Sequence, residues 1–525
     1  MLKAEIEYIE LTEQDWKIFE AIVPPDHYLR RVKANVDFDR LRAVLVCYYD
    51  PDLGRPPKEP LLLLKLEFLQ FQYGLSDAEV IRQAQVNMAF RFFLDLSLDS
   101  ELPDPSLLTY FRKRLGVQAH HQIFQDFISQ VRQLGLIKDR LRLKDATHVV
   151  ANIAVPSTLA LVAQARDRLL EAARVYAAQR VAEEEAQVQR LRSATADLPD
   201  EQRLAHRVAH LRSIVAWVEA LLSPGDAAVP EPDPAQKRLC QALELAHQIL
   251  RDRDDPKAKD KVLSAADPEA RRGWHHQWFD GYLLDVAMDA DSEFITSIDV
   301  LPANGDEAAN ATKLIEQEEK AQGNDIETLS IDGVGFRGEL LEQWTDPAGL
   351  NLEVIVPPTE QAATGGYAPE AFTQDEATGE LTCPAGQTTR TRERNTNDTG
   401  WKYRFATKTC AGCPLRGECY AKPETTTTGR TVVKNEYEAA YKAARAKAQT
   451  PRYQEVRKKH SRVERKLGEL VRWHRARRAR YRGEAKVLIQ GLLTGLVVNV
   501  KRLLKLIEPA AGPTAGTVRA GLTTA

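Results

Sequence analysis

The chain has 525 residues, of which 43% are hydrophobic and 28% charged, with a formal net charge of −3. That composition is globular, and the length suits two to four domains. Six cysteines are too few for a disulfide scaffold. The most apolar run, Val487 to Val500, is too short between Lys486 and Lys501 to span a bilayer, and the start carries no apolar signal region. The expectation is a cytoplasmic protein without a membrane partner.

The small net charge hides an asymmetry. Residues 430–482 hold 18 Lys and Arg against 5 Glu, about +13, so the remainder carries about −16. A local excess of that size points to a polyanion partner rather than to a merely solvated helix.

Residues 1–24 read as an extension and 25–125 as an all-α, helix-turn-helix-like unit. Its clearest helix runs from Pro60 to Tyr73, with proline at the first position and Gly74 at the end. Ser76 then caps a second helix from Asp77. Asp104-Pro105-Ser106 starts another helix carrying Arg112, Lys113 and Arg114, a basic surface suited to DNA phosphates.

Residues 126–157 open an α/β core. Leu141 and Leu143 alternate with Arg142 and Lys144, the pattern of a half-buried strand, and Asp145 falls in phase with the leucines. A carboxylate on the apolar phase needs a partner, and a divalent cation is one candidate. Residues 158–265, rich in Ala, Arg, Glu and Leu, predict a helical insertion. The core resumes over 266–359. Strands are predicted at 282–289, 294–301, 326–332 and 352–356, with helices over 307–321 and from about Arg337. Without the insertion this is the strand order of a ribonuclease H-like fold, in which the first and fourth strands are neighbours and would bring Asp145 to Asp332.

Residues 360–428 form a second insertion holding Cys383, Cys410, Cys413 and Cys419, a set that could bind structural Zn²⁺. Residues 429–508 predict basic helices. Val463, Leu467, Leu470 and Val471 recur at helical spacing, and Glu464 lies among Arg457, Lys458, Arg462, Arg465 and Arg472. Glu455 and Glu469 are the other acids of that stretch. Residues 509–525 read as a disordered tail.

Several motifs carry a family resemblance from about residue 20 to 506. They are His27-Tyr28-Leu29-Arg30-Arg31, Val36-Asp37-Phe38, Gly54-Arg55-Pro56, the run from Leu69 to Ser76, Phe92-Phe93-Leu94, Pro103 to Ser106 and Phe111 to Leu115. Further on come Asp145-Ala146-Thr147, Asp267 to Arg271, Asp280-Gly281-Tyr282, Asp332 to Phe336, Val356-Pro357-Pro358, Cys410 to Arg416 and Glu464 to Gly468. Their order resembles a DDE transposase of a bacterial insertion sequence, with an InsH-type N-terminal domain. Ala146 stands where many relatives have Gly. Arg457, His460 and Val471 stand where relatives often have Tyr, Arg and Lys around the last acid.

The resemblance implies that Asp145, Asp332 and Glu464 bind two Mg²⁺ or Mn²⁺ ions for phosphodiester cleavage and strand transfer at the element's terminal inverted repeats. It also implies double-stranded DNA, both ends and target, as partner, and a homo-oligomer that pairs two ends. An inactive DNA-binding repressor and a nuclease of the same fold are the alternatives.

Overall fold

The computed structural model describes residues 11–49, 58–222, 233–255, 257–275, 277–359, 366–375, 377–395 and 399–507. The predicted tail 509–525, the first ten residues and Gly54-Arg55-Pro56 lie outside them.

Seven helices come first: α1 (Glu13–Ile22), α2 (Tyr28–Asn35), α3 (Leu41–Val46), α4 (Pro60–Tyr73), α5 (Asp77–Val86), α6 (Met88–Leu94) and α7 (Ser106–Gln133). Local sequence explains their ends. Thr12 and Asp15 form a capping box on α1, and Ser76 and Glu79 form another on α5. Gly74 closes α4 at φ 67°, a left-handed conformation that glycine adopts without steric cost. α4 is buried on nearly every side, so its two interior charges need partners: Lys65 pairs with Asp95 at 2.6 Å, and Glu67 with Arg112 at 3.3 Å. α7 breaks at Gly116 (φ 62°), and the helix packs chiefly against α17.

The sheet begins with β1 (Arg142–Val150). Three helices follow, α8 (Thr158–Ala194), α9 (Asp200–Leu222) and α10 (Pro234–Asp254), packed around their own apolar cluster. The chain then forms β2 (Arg271–His275), β3 (Gln277–Asp289), β4 (Ile295–Pro302), α11 (Asn310–Gln322), β5 (Thr328–Ser330), α12 (Gly338–Thr345) and β6 (Glu353–Ile355). β3 lies antiparallel to β1, β2 and β4, while β5 is parallel to both β1 and β6. The core order is therefore β4-β3-β1-β5-β6. β2 is absent from the sequence reading: it extends β3 beyond the end of β1 as a hairpin.

Six short strands follow in two small sheets: β7 (Thr373–Gln374), β8 (Leu381–Thr382) and β9 (Thr388–Thr389), then β10 (Arg392–Arg394), β11 (Gly400–Arg404) and β12 (Thr431–Asn435). Between β11 and β12 lie α13 (Thr407–Ala411) and α14 (Arg416–Cys419), and α15 (Glu438–Ala448), α16 (Pro451–His474) and α17 (Glu484–Leu506) complete the chain.

α17 is apolar and long enough to cross a membrane by length alone, but 83% of its most apolar window is buried within the protein. It lies against β4 and α7. Gly491 and Gly495 permit the approach: a Cβ at Gly495 would stand 2.3 Å from Ile298 Cδ1. Asn499, fully buried on this helix, accepts from Ile295 N–H at 2.9 Å and donates to Ile295 C=O at 2.7 Å, which satisfies the strand where β3 and β4 slip register. The N-terminal helices, the sheet and α17 share one apolar cluster, from Leu29 through Leu143 and Ile298 to Leu496.

The half-buried strand expected at β1 is corrected by the structure. Arg142 is 0% exposed and Lys144 1%, so both faces of β1 are covered. Arg142 reaches Glu318 at 2.6 Å and Asp289 at 3.0 Å, and Lys144 reaches Asp285 at 3.1 Å. Alternation of charge and leucine recorded two different interiors, one ionic and one apolar, not an inside and an outside.

Candidate functional site

β1 and β5 run side by side in the register Leu143↔Ser330. Asp145 and Asp332 each lie two residues further on, so they follow from matching positions on neighbouring parallel strands and share a face. That face is the one α16 covers: His460 Nδ1 lies 3.1 Å from Ser330 Oγ, and Arg457 donates to Ile331 C=O at 3.0 Å. Burial pushes the His460 imidazole down to about 3, with Arg457 and Lys144 acting in the same direction. His460 is therefore a neutral packing group.

Asp145 accepts from the Ala146 N–H at 2.8 Å. Its carboxyl is pushed up to about 7, first by burial; Asp332 and Glu307 add to the rise, and the Ala146 N–H and Lys144 oppose it. Asp332 is half-buried and opens the turn Gly333–Gly335, where β5 has already ended. Glu307, in the turn before α11, is also raised by burial, and Asp332 is among the groups that add to it. Asp306, its neighbour, pairs with Arg337 at 2.5 Å, which ties this turn to the segment after Asp332. Glu307 is thus an acid of the site that the sequence reading missed, since nothing in the spacing of a loop residue marks it.

Glu464 is exposed on α16, one helical turn beyond His460 and two beyond Arg457, so it projects from the flank of the helix nearer the aspartates. Among the described residues no three His, Cys, Asp or Glu side chains are grouped to hold a metal ion. Asp145 and Asp332 come together as a pair, with Glu307 beside them, and Glu464 stands off on the helix above.

The basic residues divide into two groups. Arg112 is corrected as a DNA contact: it is 8% exposed, and its guanidinium is held by Glu67 and Asp77 beneath the Tyr481 ring. Lys113 and Arg114 are exposed, with Arg114 stacked over Tyr49 at 4.3 Å. Arg462 is partly engaged by Ala290 C=O at 2.6 Å. Lys458, Arg465 and Arg472 are exposed. Past α16, Arg477 donates to His148 C=O at 2.6 Å and Arg482 to Asn152 C=O at 3.1 Å. Part of the basic excess of 430–482 therefore fastens the chain to the end of β1 instead of facing outward.

The β2–β3 hairpin adds an aromatic feature. Trp274 and Trp278 are register partners, 63% and 66% exposed, with rings 5.3 Å apart. His275 between them lies 5.1 Å from His148 of β1 and is among the charges felt by Glu307, which places the hairpin beside the acids.

The four cysteines of the second insertion line one cavity of about 30 Å³ together with Phe372, Arg416, Tyr420 and Arg430.

A five-stranded core in this order, with one carboxylate on the central strand and another just past the end of its parallel neighbour, is the ribonuclease H-like class of fold. Two family models match the chain. "Transposase domain (DUF772)" matches residues 17–114, and "Transposase DDE domain" matches residues 382–504. Both matches are to transposase domains, and together they support a DDE transposase of an insertion sequence. It is also 29% identical over 118 residues to "Uncharacterized protein ORF8 in nfe locus" of Rhizobium meliloti, a match covering 22% of this chain and 56% of that protein. No solved structure matches it.

Proposed function

We propose that this transposase binds the terminal inverted repeats of its element, cleaves there and joins the ends to target DNA, with Asp145, Asp332 and Glu464 as the acids that hold the metal. The approach of Asp145, on β1, to Asp332, just past the end of neighbouring β5, under α16 supports the reading most directly. The donor set is carboxylate oxygen, which suits Mg²⁺ or Mn²⁺. When bound, such ions activate the attacking oxygen and neutralise the leaving one.

The chain's own residues supply the rest. Asp145, raised by burial and by its acidic neighbours, is poised to exchange a proton for a cation. Glu307 adds negative charge beside the pair. Glu464, exposed on the flank of α16 above the pair, would be the third acid to hold the metal there. Lys458, Arg465 and Arg472 neutralise phosphates, and Lys113 with Arg114 extends that track on α7. Trp274 and Trp278 offer ring faces to exposed bases. Two copies of the chain, one per end, would pair the element's termini.

The test is cleavage of labelled DNA carrying the element's ends, with Mg²⁺ or Mn²⁺, by wild type beside Asp332→Ala. Nicking at the boundary by wild type only is expected. Binding without cleavage by either protein would favour a repressor, and cleavage at unrelated sequences a nuclease.

A further inference from the structure

The insertion between β6 and α15 has an unusually small interior. Among the described residues its buried apolar cluster is Phe372, Leu381, Tyr403, Phe405 and Val432, with Tyr367, Trp401 and three of the cysteines packed against it. Its strands are two to five residues long, in two separate three-stranded sheets. Modules with so little apolar burial ordinarily need a covalent or metal cross-link to hold one conformation.

The cysteines are placed to supply one. Cys383 comes from the turn between β8 and β9, Cys410 from α13, Cys413 from the turn after it and Cys419 from α14, and all four line the same cavity at the edge of that cluster. All four are free thiols. The backbone around them has the form of two knuckles. Gly386 N–H donates to Cys383 C=O at 2.8 Å, and Cys413 N–H to Cys410 C=O at 3.4 Å. Arg430 N–H points at Cys410 Sγ at 3.4 Å, a donor suited to a thiolate. Arg430 and Arg416 both line the cavity, and their positive charge would offset the negative charge of a four-thiolate metal site. A cavity of about 30 Å³ admits a single small ion.

We infer that Cys383, Cys410, Cys413 and Cys419 form a structural zinc site that clamps this insertion. Four thiolates at about 2.3 Å would close the coordination sphere, leaving no position for a substrate. As the chain stands the four sulfurs surround one cavity without being grouped tightly enough to hold an ion, so binding would draw them together across it. Binding releases the thiol protons, so no oxidant is involved. The clamp fixes β12 and the start of α15, and through them the approach to α16, without touching the aspartates.

The full-length protein carries its own internal control, because Cys47 and Cys240 are exposed and lie elsewhere in the fold. In protein purified without chelator, metal analysis is expected to give about one zinc per chain. An alkylating reagent is expected to modify Cys47 and Cys240 quickly and the other four only after a mercurial or chelator strips the metal. Protein refolded with Co²⁺ in place of zinc should show thiolate-to-cobalt absorption with tetrahedral ligand-field bands. Cys413→Ser should lose the metal and the protection, whereas Cys413→His, which keeps a ligand, should retain both. Zinc content unchanged in Cys413→Ser would show an adventitious ion only and overturn the inference. So would equal reactivity of all six thiols, or a disulfide within the set. Absence of both zinc and the cobalt spectrum in folded wild type would overturn it even if the serine variant failed to fold. Loss of DNA cleavage is not among the readouts, so a wrong assignment of the acids would leave this result standing.

Discussion

Asp145 and Asp332 are 187 residues apart in the chain, and each lies two residues past the register pair Leu143 and Ser330, Asp145 still within β1 and Asp332 just beyond the end of β5. Two carboxylates placed there, one of them largely buried, repel each other unless a cation or a proton intervenes. Burial raises the Asp145 carboxyl first, and Asp332 and Glu307 add to it, so that it reaches about 7 in the folded chain.

That rise has a defined sign. Between the ordinary value of 3.8 and about 7 the folded state holds a proton that the unfolded state has released. Stability from this group is therefore complete below 3.8 and falls as pH rises through 7. Asp145→Asn should melt at the same temperature as wild type near pH 4. At pH 8 without divalent ions it should be more stable, by on the order of 3 kcal/mol at most, since each pKa unit is worth 1.36 kcal/mol and the site is partly solvated. Mg²⁺ or Mn²⁺ should raise the melting temperature of wild type and leave Asp145→Asn unmoved. The variant should bind DNA ends and fail to cut them. A melting curve at pH 8 that drops in Asp145→Asn would mean that the carboxylate serves the fold.

The third acid can be decided between Glu464 and Glu307. If Glu464 completes the metal site on DNA binding, Glu464→Gln lowers cleavage by roughly 10²-fold or more while leaving metal-induced stabilisation of the free protein nearly intact. Glu307→Gln should do the opposite, weakening metal binding to the free protein because Glu307 already stands beside the pair. A large cleavage loss from Glu307→Gln with none from Glu464→Gln would transfer the role to the α11 turn.

The ionic interior on the other side of the sheet makes a stability prediction. Arg142 is fully buried between Glu318 and Asp289. Arg142→Ala leaves those carboxylates with less compensation and should cost ~3–5 kcal/mol, read as a lower midpoint in denaturant unfolding. Arg132, 3.0 Å from Glu318, remains to share the charge, which places the expected value toward the lower end. Retention of the wild-type midpoint would mean that water reaches this face.

The neighbourhood of Arg142 also shows what a sequence discloses. Helix ends were legible because Pro60, Gly74 and Ser76 act on their own backbone within one turn. The pairing of Asp145 with Asp332 was legible because strand order alone fixes it. The burial of Arg142, Lys144 and Arg112 was not, because each is matched chiefly by distant acids: Asp77 and Glu67, 35 and 45 positions from Arg112; Asp289 and Glu318, 147 and 176 from Arg142; and Asp285, across the strand pair from Lys144. β2 was hidden for a similar reason: Arg271-Arg272-Gly273-Trp274-His275 has no apolar alternation, and its strand form comes from pairing with the overhang of β3. Glu307 sits in a turn, where side-chain direction depends on the fold and not on a period. The basic count of 430–482 was real, but arginines that donate to His148 and Asn152 carbonyls cannot be told from phosphate contacts by composition.

Trp274 and Trp278 allow those two kinds of contact to be separated by salt. Aromatic stacking contributes ~1–3 kcal/mol per base and involves no counterion, whereas each neutralised phosphate adds roughly 0.9 to the slope of log affinity against log salt. The double variant Trp274→Ala/Trp278→Ala should weaken binding to DNA ends by about tenfold or more with the salt slope unchanged. Lys458→Ala or Arg472→Ala should each reduce the slope by about one while weakening all sequences alike. Arg112→Ala should leave the slope unchanged and lower stability instead, because its guanidinium faces Glu67 and Asp77 within the helical unit. Titrations at three or four salt concentrations distinguish these cases. A reduced slope in the tryptophan variant would mean that the hairpin acts by orienting basic groups around it and not through its rings.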